Sequence, residues 1–217
     1  RGVCVAADLL RSNGKEVPAN VNEYVVDALF STITNANFDD NSILNRVHKG
    51  VELRDLLLSV VKENKINIPS IQELAWNGDQ QTYEKLAAVV GVLREPNEDL
   101  RSLKELLVYG LKGMAAYLEH AMRLGFDDDS IHAFIQNMLA RIASEQHSAD
   151  EWTNFVIETG KTGVQAMALL DKANTTRYGN PEITKVNIGV GKRPGILISG
   201  HDLHDIEDLL KQTEGTG

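Results

Sequence analysis

Residues 185–217 read KVNIGVGKRPGILISGHDLHDIEDLLKQTEGTG, and nowhere else does the sequence change character so abruptly. Upstream, apolar residues recur every three or four positions; here they gather in short runs fenced by glycine. The run GILISG at 195–200 has the pattern of a fully buried strand in a parallel sheet. Directly after it, Ile206, Leu209 and Leu210 take the i, i+3, i+4 spacing of an amphipathic helix, with Asp202 or Asp205 available to cap its free N–H groups. Ahead of it, residues 183–188 alternate loosely and are rich in β-branched side chains, which predicts another strand of the same sheet. Ser199-Gly200-His201-Asp202 then falls at the carboxyl end of a strand, where open α/β sheets receive their ligands.

His201 is the residue of that junction best placed to touch a ligand. A neutral imidazole there has three uses: to ligate iron or zinc, to act as a general acid or base, or to tie down the loop. Spacing leaves all three open. His204, three residues on, offers a second imidazole on one helical face, but with no cysteine or third histidine nearby the pair makes a poor zinc site.

Before residue 174 the periodicity is helical throughout. A short piece from Val5 to Arg11 ends at Ser12-Asn13-Gly14. Asn20 then caps a helix carrying Val21, Tyr24, Val25, Ala28, Leu29 and Ile33 on one stripe, which is expected to end near residues 35–37. Asp39 or Asp40 opens a long helix with Ile43, Val47, Val51, Leu53, Leu57 and Val60 inward. Residues 65–78, holding Pro69 and Asn77-Gly78, read as a loop with about one helical turn, and 79–92 as a weaker helix closed by Gly91. The strongest pattern starts at Pro96-Asn97: Leu100, Leu103, Leu107, Leu111, Met114 and Leu118 keep one face apolar, while Gly110 and Gly113 let a neighbour approach. Asp127-Asp128-Asp129-Ser130 caps a further helix, and Ser148 with Glu151 forms the capping box of the last long one.

Most other chemistry-bearing residues have plain explanations. His48, His132 and His147 read as surface residues. Glu119 and His120 are adjacent, so on a helix they point about 100° apart and do not face each other, and no Glu-x-x-His pair for a di-iron bundle occurs. The aspartates at 127–129 complement a helix dipole and lack the alternation of a calcium loop. Gly189-Val-Gly191-Lys192 misses the spacing of a phosphate loop, and Ser199 lacks the flanking glycines of a nucleophile elbow.

Composition bounds the function classes. The chain has 217 residues, 42% of them hydrophobic, enough to fill a core. With 22 basic against 31 acidic residues and a net charge of −9, it is no binder of nucleic-acid backbones. No apolar run approaches the roughly 18 residues of a membrane span, so no membrane partner is expected. A single cysteine excludes a disulfide framework and points to the reducing cytoplasm.

Three blocks carry a resemblance: NTTRYGNPEITKVNIGVGKRPGILISGHDLHDIEDLLKQTEGTG at 174–217, NEDLRSLKELLVYGLKGMAAYLEHAMRLG at 97–125 and ALFSTITNANFD at 28–39. In this order, and with agreement through nearly the whole chain, they resemble the hybrid cluster proteins, also called prismane proteins or hydroxylamine reductases. The resemblance implies an iron–sulfur oxidoreductase that reduces hydroxylamine to ammonia, or a related nitrogen oxide such as nitric oxide, at a hybrid iron–sulfur–oxygen cluster. An electron-donating reductase is its expected partner. The histidine of the family's GHDL motif is a ligand of that cluster and matches His201, with Asp202 as its neighbour in support; the remaining ligands, a glutamate and several cysteines, lie beyond the equivalent of Gly217. A four-cysteine motif holds a second iron–sulfur cluster, and Cys4, in Arg1-Gly-Val-Cys, resembles its last member. Val5-Ala-Ala-Asp-Leu-Leu then looks like the tail of a longer helix, so a segment is expected to have dropped out after Cys4.

The resemblance makes the chain an N-terminal fragment with a mainly α fold. Residues 1–175 are expected as a helical domain of two small bundles, roughly 1–78 and 79–175. Residues 176–217 are expected as the first strand–helix elements of an α/β, Rossmann-like domain. Such a fragment contains no catalytic residue of its own and is expected to be inactive and to bind no cluster alone. On composition without the resemblance, a non-catalytic helical interaction or scaffold domain is the alternative.

Overall fold

The computed structural model describes residues 1–34, 38–144 and 146–216. The described residues form nine α-helices and no strand: α1 Gly2–Ser12, α2 Ala19–Phe30, α3 Asp40–Glu63, α4 Gln72–Ala75, α5 Tyr83–Val90, α6 Glu98–Arg123, α7 Asp129–Ser144, α8 Ala149–Tyr178 and α9 Leu203–Thr213, with 3₁₀ turns at Gln80–Thr82 and Val92–Arg94. The chain divides into two compact units, Arg1–Ala173 and Asn174–Gly217.

The helix starts follow from local chemistry. Asp39 accepts from the amide of Asn41 at 3.0 Å, and Asn97 from those of Asp99 and Leu100 at 3.0 and 3.2 Å, so free donors of the first turns are paired. The capping box forms as expected: the Ser148 amide donates to Glu151 at 2.8 Å and the Glu151 amide to the Ser148 hydroxyl at 3.3 Å. Asn20 does not cap α2, which already begins at Ala19, with Pro18 as its first flanking residue and the Pro18 carbonyl accepting from Val21 at 2.9 Å. The expected end of α2 near 35–37 lies outside the described residues; the helix stops at Phe30. At the end of α6, Gly125 adopts φ 80°, and the amides of Gly125 and Phe126 close back on Met122 and Ala121 at 2.9 and 3.0 Å. This left-handed closure satisfies two of the last carbonyls of the helix.

The first unit is organised around α6. Leu107, Leu111, Met114, Ala115 and Leu118 are buried along one face and join a single apolar cluster with Val21 and Val25 of α2, Leu57 of α3, Ile131 and Ile135 of α7 and Trp152 of α8. α1 packs on α7 and α3, and α2 on α6, so residues from both ends of the unit share one core. Gly110 is the close-approach point anticipated on α6: a Cβ there would stand 2.7 Å from Cγ2 of Thr159 on α8. The segment after α3 is held from within by Arg54, a buried cation whose guanidinium donates to the carbonyls of Glu73 and Trp76 at 3.3 and 2.5 Å and pairs with Asp55.

In the second unit the described residues show no strand, so the α/β expectation is not met there. Residues 181–202 contain no strand, and the two runs predicted as strands lie open to solvent: Ile183, Val186, Ile188, Ile196 and Leu197 are all exposed, Leu197 at 98%. A strand pairs its backbone with a neighbouring strand, unlike a helix, which pairs within itself. No described segment offers those partners. α9 does form, capped by Asp202, which accepts from the His204 amide at 3.0 Å.

Candidate functional site

In the second unit, α9 is fixed by a cluster on its own flank. Glu207 receives Arg177, both through Nε at 3.3 Å and through a closer contact with Nη2, together with the Tyr178 hydroxyl at 3.1 Å and Lys211 at 2.9 Å. The Arg177 hydrogen bond first, then that of Lys211, holds the Glu207 carboxyl down at about 2, so it stays ionised throughout the neutral range. The Tyr178 hydroxyl is pushed up, first by loss of solvent and then by its bond to Glu207. This cluster joins the end of α8 to the middle of α9, thirty residues apart, and no periodic signal announces it.

His201 sits just before α9, exposed, with Asp202 as the cap between it and the helix. It does not follow a strand. Asp202 accepts from the helix N-terminus with one carboxylate oxygen, and the His201 imidazole is exposed rather than sealed in apolar side chains. His204 turns the other way along the helix, its Nδ1 at 3.3 Å from Asp208. The two histidines are therefore not brought together as ligands.

Cys4 belongs to the first unit. It lies in the first turn of α1, 2% exposed, and burial pushes its thiol up from the ordinary range. It borders a cavity of about 490 Å³ whose walls are mainly aliphatic and aromatic and include no second cysteine and no histidine.

Two histidines taken for surface residues are not. His132 is 1% exposed, with Nε2 at 2.6 Å from Asp127, because α7 turns this position into the core and the aspartate just ahead of the helix supplies its partner. His147 is half-buried, its ring edge-on to Trp152 and Phe155 at 5.2 and 5.0 Å. His120 meets the edge of Phe30 at 5.7 Å. A polar assembly in the first unit has no signature in the sequence. Arg11 of α1 forms a two-pronged pair with Asp129 of α7, both contacts at 2.7 Å, and donates to Gln136 at 3.0 Å and Asn22 at 3.2 Å; Gln136 donates to Asn22 at 2.7 Å. The Arg11 hydrogen bond holds the Asp129 carboxyl below the usual carboxylate range. These groups satisfy one another, so the assembly ties three helices together and offers no free ligand.

No three His, Cys, Asp or Glu side chains among the described residues converge where a metal ion could be held. Multi-iron clusters take several thiolates, and this chain has one cysteine, in a core helix. The residues present therefore do not fit a complete iron–sulfur cluster. No described helix is long and apolar enough to cross a membrane.

Comparison with known proteins gives these positions a context. The chain is 52% identical over 218 positions to a hydroxylamine reductase of Bacteroides fragilis, covering all of this chain and 39% of that protein. It is 49% identical over 243 positions to a hydroxylamine reductase of Clostridium botulinum, covering all of this chain and 42% of the relative. It is 55% identical over 204 positions to one of Desulfitobacterium hafniense, covering 93% and 37%. The chain thus spans about two fifths of the length of the curated relatives it matches. The Bacteroides match, 218 positions against 217 residues, leaves no room for a lost helix after Cys4, which corrects that expectation for this relative. The sequence model described as the Prismane/CO dehydrogenase family matches residues 1–217, and with relatives of this identity along the whole chain, the protein belongs to that family.

Proposed function

We propose that this chain forms the helical part, with the opening of an α/β domain at 176–217, of an iron–sulfur oxidoreductase that reduces hydroxylamine. The observation that carries the reading is identity of about one half to proteins named hydroxylamine reductase, in matches that cover the whole of this chain. The reaction consumes two electrons and two protons, cleaves the N–O bond and releases ammonia and water. Nitric oxide is the related substrate, which places the enzyme in defence against nitrosative stress, and a reductase in the cytoplasm supplies the electrons. A hybrid iron–sulfur–oxygen cluster would carry that electron chemistry, beside a second iron–sulfur cluster.

His201 is the one residue here that we assign to the hybrid cluster. Its exposure at the start of α9 leaves a ring nitrogen available, and the Arg177–Glu207–Tyr178 cluster steadies the helix that follows it. Asp202 serves that position as a cap. Since no other ligand accompanies His201 among the described residues and the chain holds a single cysteine, the 217 residues alone are expected to hold no stoichiometric cluster and to show no turnover.

The test is anaerobic reconstitution with iron and sulfide, followed by metal counting and a hydroxylamine assay driven by a reduced viologen dye. It is run on this chain and on a relative-length protein carrying it. The longer protein should turn over, and His201→Ala in it should abolish turnover and reduce bound iron. Full activity and full iron in His201→Ala would remove the ligand assignment. Turnover by the 217 residues alone would overturn the expectation of inactivity.

A further inference from the structure

We infer that Cys4 is a core thiol of an intact first helix, and that the N-terminal end of this chain supplies no ligand to an iron–sulfur cluster. This is independent of the His201 assignment. The resemblance of Arg1-Gly-Val-Cys4 to the end of a cluster motif rests on four residues, and the structure around them is that of a helix interior. Helical hydrogen bonding already begins at Arg1, whose carbonyl accepts from the Val5 amide at 2.9 Å. Five successive residues, Val3, Cys4, Val5, Ala6 and Ala7, are buried, none above 6% exposure. A helix buried on every side at that point is in the core, and α1 lies there between α3 and α7.

The surroundings of the sulfur agree. The cavity that Cys4 borders is walled by Val25, Ala28, Leu29, Val47 and Val51 among others, with no other soft ligand in its lining. Two of the cations lining it are engaged elsewhere in part: Arg54 holds two backbone carbonyls and Asp55, and Arg1 donates to the Val90 carbonyl at 2.7 Å, while Glu73 pairs one oxygen with Arg94 at 2.5 Å and keeps the other, a hard donor, buried without a hydrogen bond. Burial favours the protonated thiol, whereas an iron ligand is a thiolate, usually stabilised by nearby positive charge or by the metal. Sequence length supplies the independent observation. A relative 52% identical aligns over 218 positions with all of this chain, so the residues flanking Cys4 continue into α1 without a missing segment. The match of 243 positions admits extra residues in the Clostridium relative, but the Bacteroides register needs none. Cys4 then occupies a packing position, where a small apolar side chain can stand in for the thiol.

Two measurements decide it, the first on this chain and the second on the longer protein. An aromatic disulfide reagent that releases a coloured thiolate should modify Cys4 in the native protein at least about a hundredfold more slowly than in urea, because reaction waits for α1 to open. Anaerobic reconstitution of a relative-length protein carrying this chain should load no more iron into wild type than into Cys4→Ala or Cys4→Val. The second substitution restores volume if the first fails to fold, and the labelling ratio decides if neither folds. Native labelling as fast as in urea, or iron bound by wild type and lost in both variants with their helix content intact, would overturn the inference.

Discussion

The two units treat their apolar residues in opposite ways. In residues 1–173 the large side chains of α6 and α7 disappear into one core, whereas no described residue after Ala173 is buried and Ile183, Ile188, Val190 and Leu197 stand almost fully in solvent. Both regions carry strong sequence patterns, so pattern strength is not the difference. A helix needs only a neighbour for one face, and α1, α2, α3, α6, α7 and α8 supply one another. A strand needs a partner strand along at least one backbone edge, and an apolar run such as 195–198 also needs cover on its faces. The comparison teaches that an apolar segment takes the structure its partners allow.

The sharpest way to break this contrast is to remove the same atoms from each side. Leu111→Ala, in the middle of α6 and fully buried, should cost about 2–5 kcal/mol in a urea titration, because the surrounding helices close only part of the cavity. Leu197→Ala should change stability by less than about 0.5 kcal/mol. If Leu197→Ala cost as much as Leu111→Ala, residues 195–198 would be packed in solution and the contrast would fail.

Polar contacts should follow the same division. Arg11→Met leaves the buried Gln136 carbonyl oxygen without its donor, while Asn22 keeps the one from Gln136, and should cost about 1–3 kcal/mol, with the more exposed Asp129 carboxylate rehydrating. At Arg177 the same change should leave the urea midpoint of the helical unit unmoved, because its pair with Glu207 is exposed and lies in the second unit. A fall in that midpoint would show that the Arg177 cluster supports the first core.

Glycine substitutions sharpen the comparison on a smaller scale. In Gly110→Ala the new methyl meets Thr159 at 2.7 Å, an overpacking cost of about 1–3 kcal/mol, partly offset by about 1 kcal/mol of helix propensity. A net loss of about 1 kcal/mol is expected by thermal or urea unfolding. Gly191→Ala meets nothing within 4 Å and should be neutral. A stabilised Gly110→Ala would mean that α8 stands farther from α6 than the structure shows.

The smallest expected effect is a pH dependence at the start of α8. The Glu151 carboxyl is held at about 2, against an ordinary value of 4.5, chiefly by the Ser148 amide and hydroxyl and then by His147. A carboxyl depressed by folding adds stability above its unfolded value, and that stability is lost as pH falls through the folded one. The capping-box contribution should therefore be complete above about pH 5 and fade between 4.5 and about 2. Glu151→Gln should flatten that part of the stability–pH curve, measured by urea melts across the acid range, without moving the neutral plateau by more than the modest worth of an exposed cap. An unchanged acid slope would assign it to other carboxylates.

Much of the helical unit could be read directly. The stripe on α6, the helix starts at Asp39 and Asn97, the capping box at Ser148, the single turn within 65–78 and the close approach at Gly110 all appear in the structure as expected. The family, too, was legible, because three long blocks in a fixed order are hard to assemble by chance. Illegible were the partners of polar residues far apart in sequence. Arg11 meets Asp129 across 118 positions and Arg177 meets Glu207 across 30, and neither pair leaves a periodic trace. His132 was misplaced for a related reason: three aspartates just before it read as a solvated helix start, and only the packing of α7 turns its ring inward against Asp127.

By itself, then, the sequence determined where the helices lie, how their first turns are capped and to which family the chain belongs, since each of these is written in neighbouring residues or in their order. Tertiary structure alone decided that Cys4 faces the core, that His132 is buried, that Arg11 joins three helices and that residues 195–198 stay unpaired. Those outcomes depend on which distant surface is present to meet a side chain or a backbone edge. A helix satisfies its hydrogen bonds within four residues, whereas burial, ion pairing and strand pairing need a partner that local sequence does not contain.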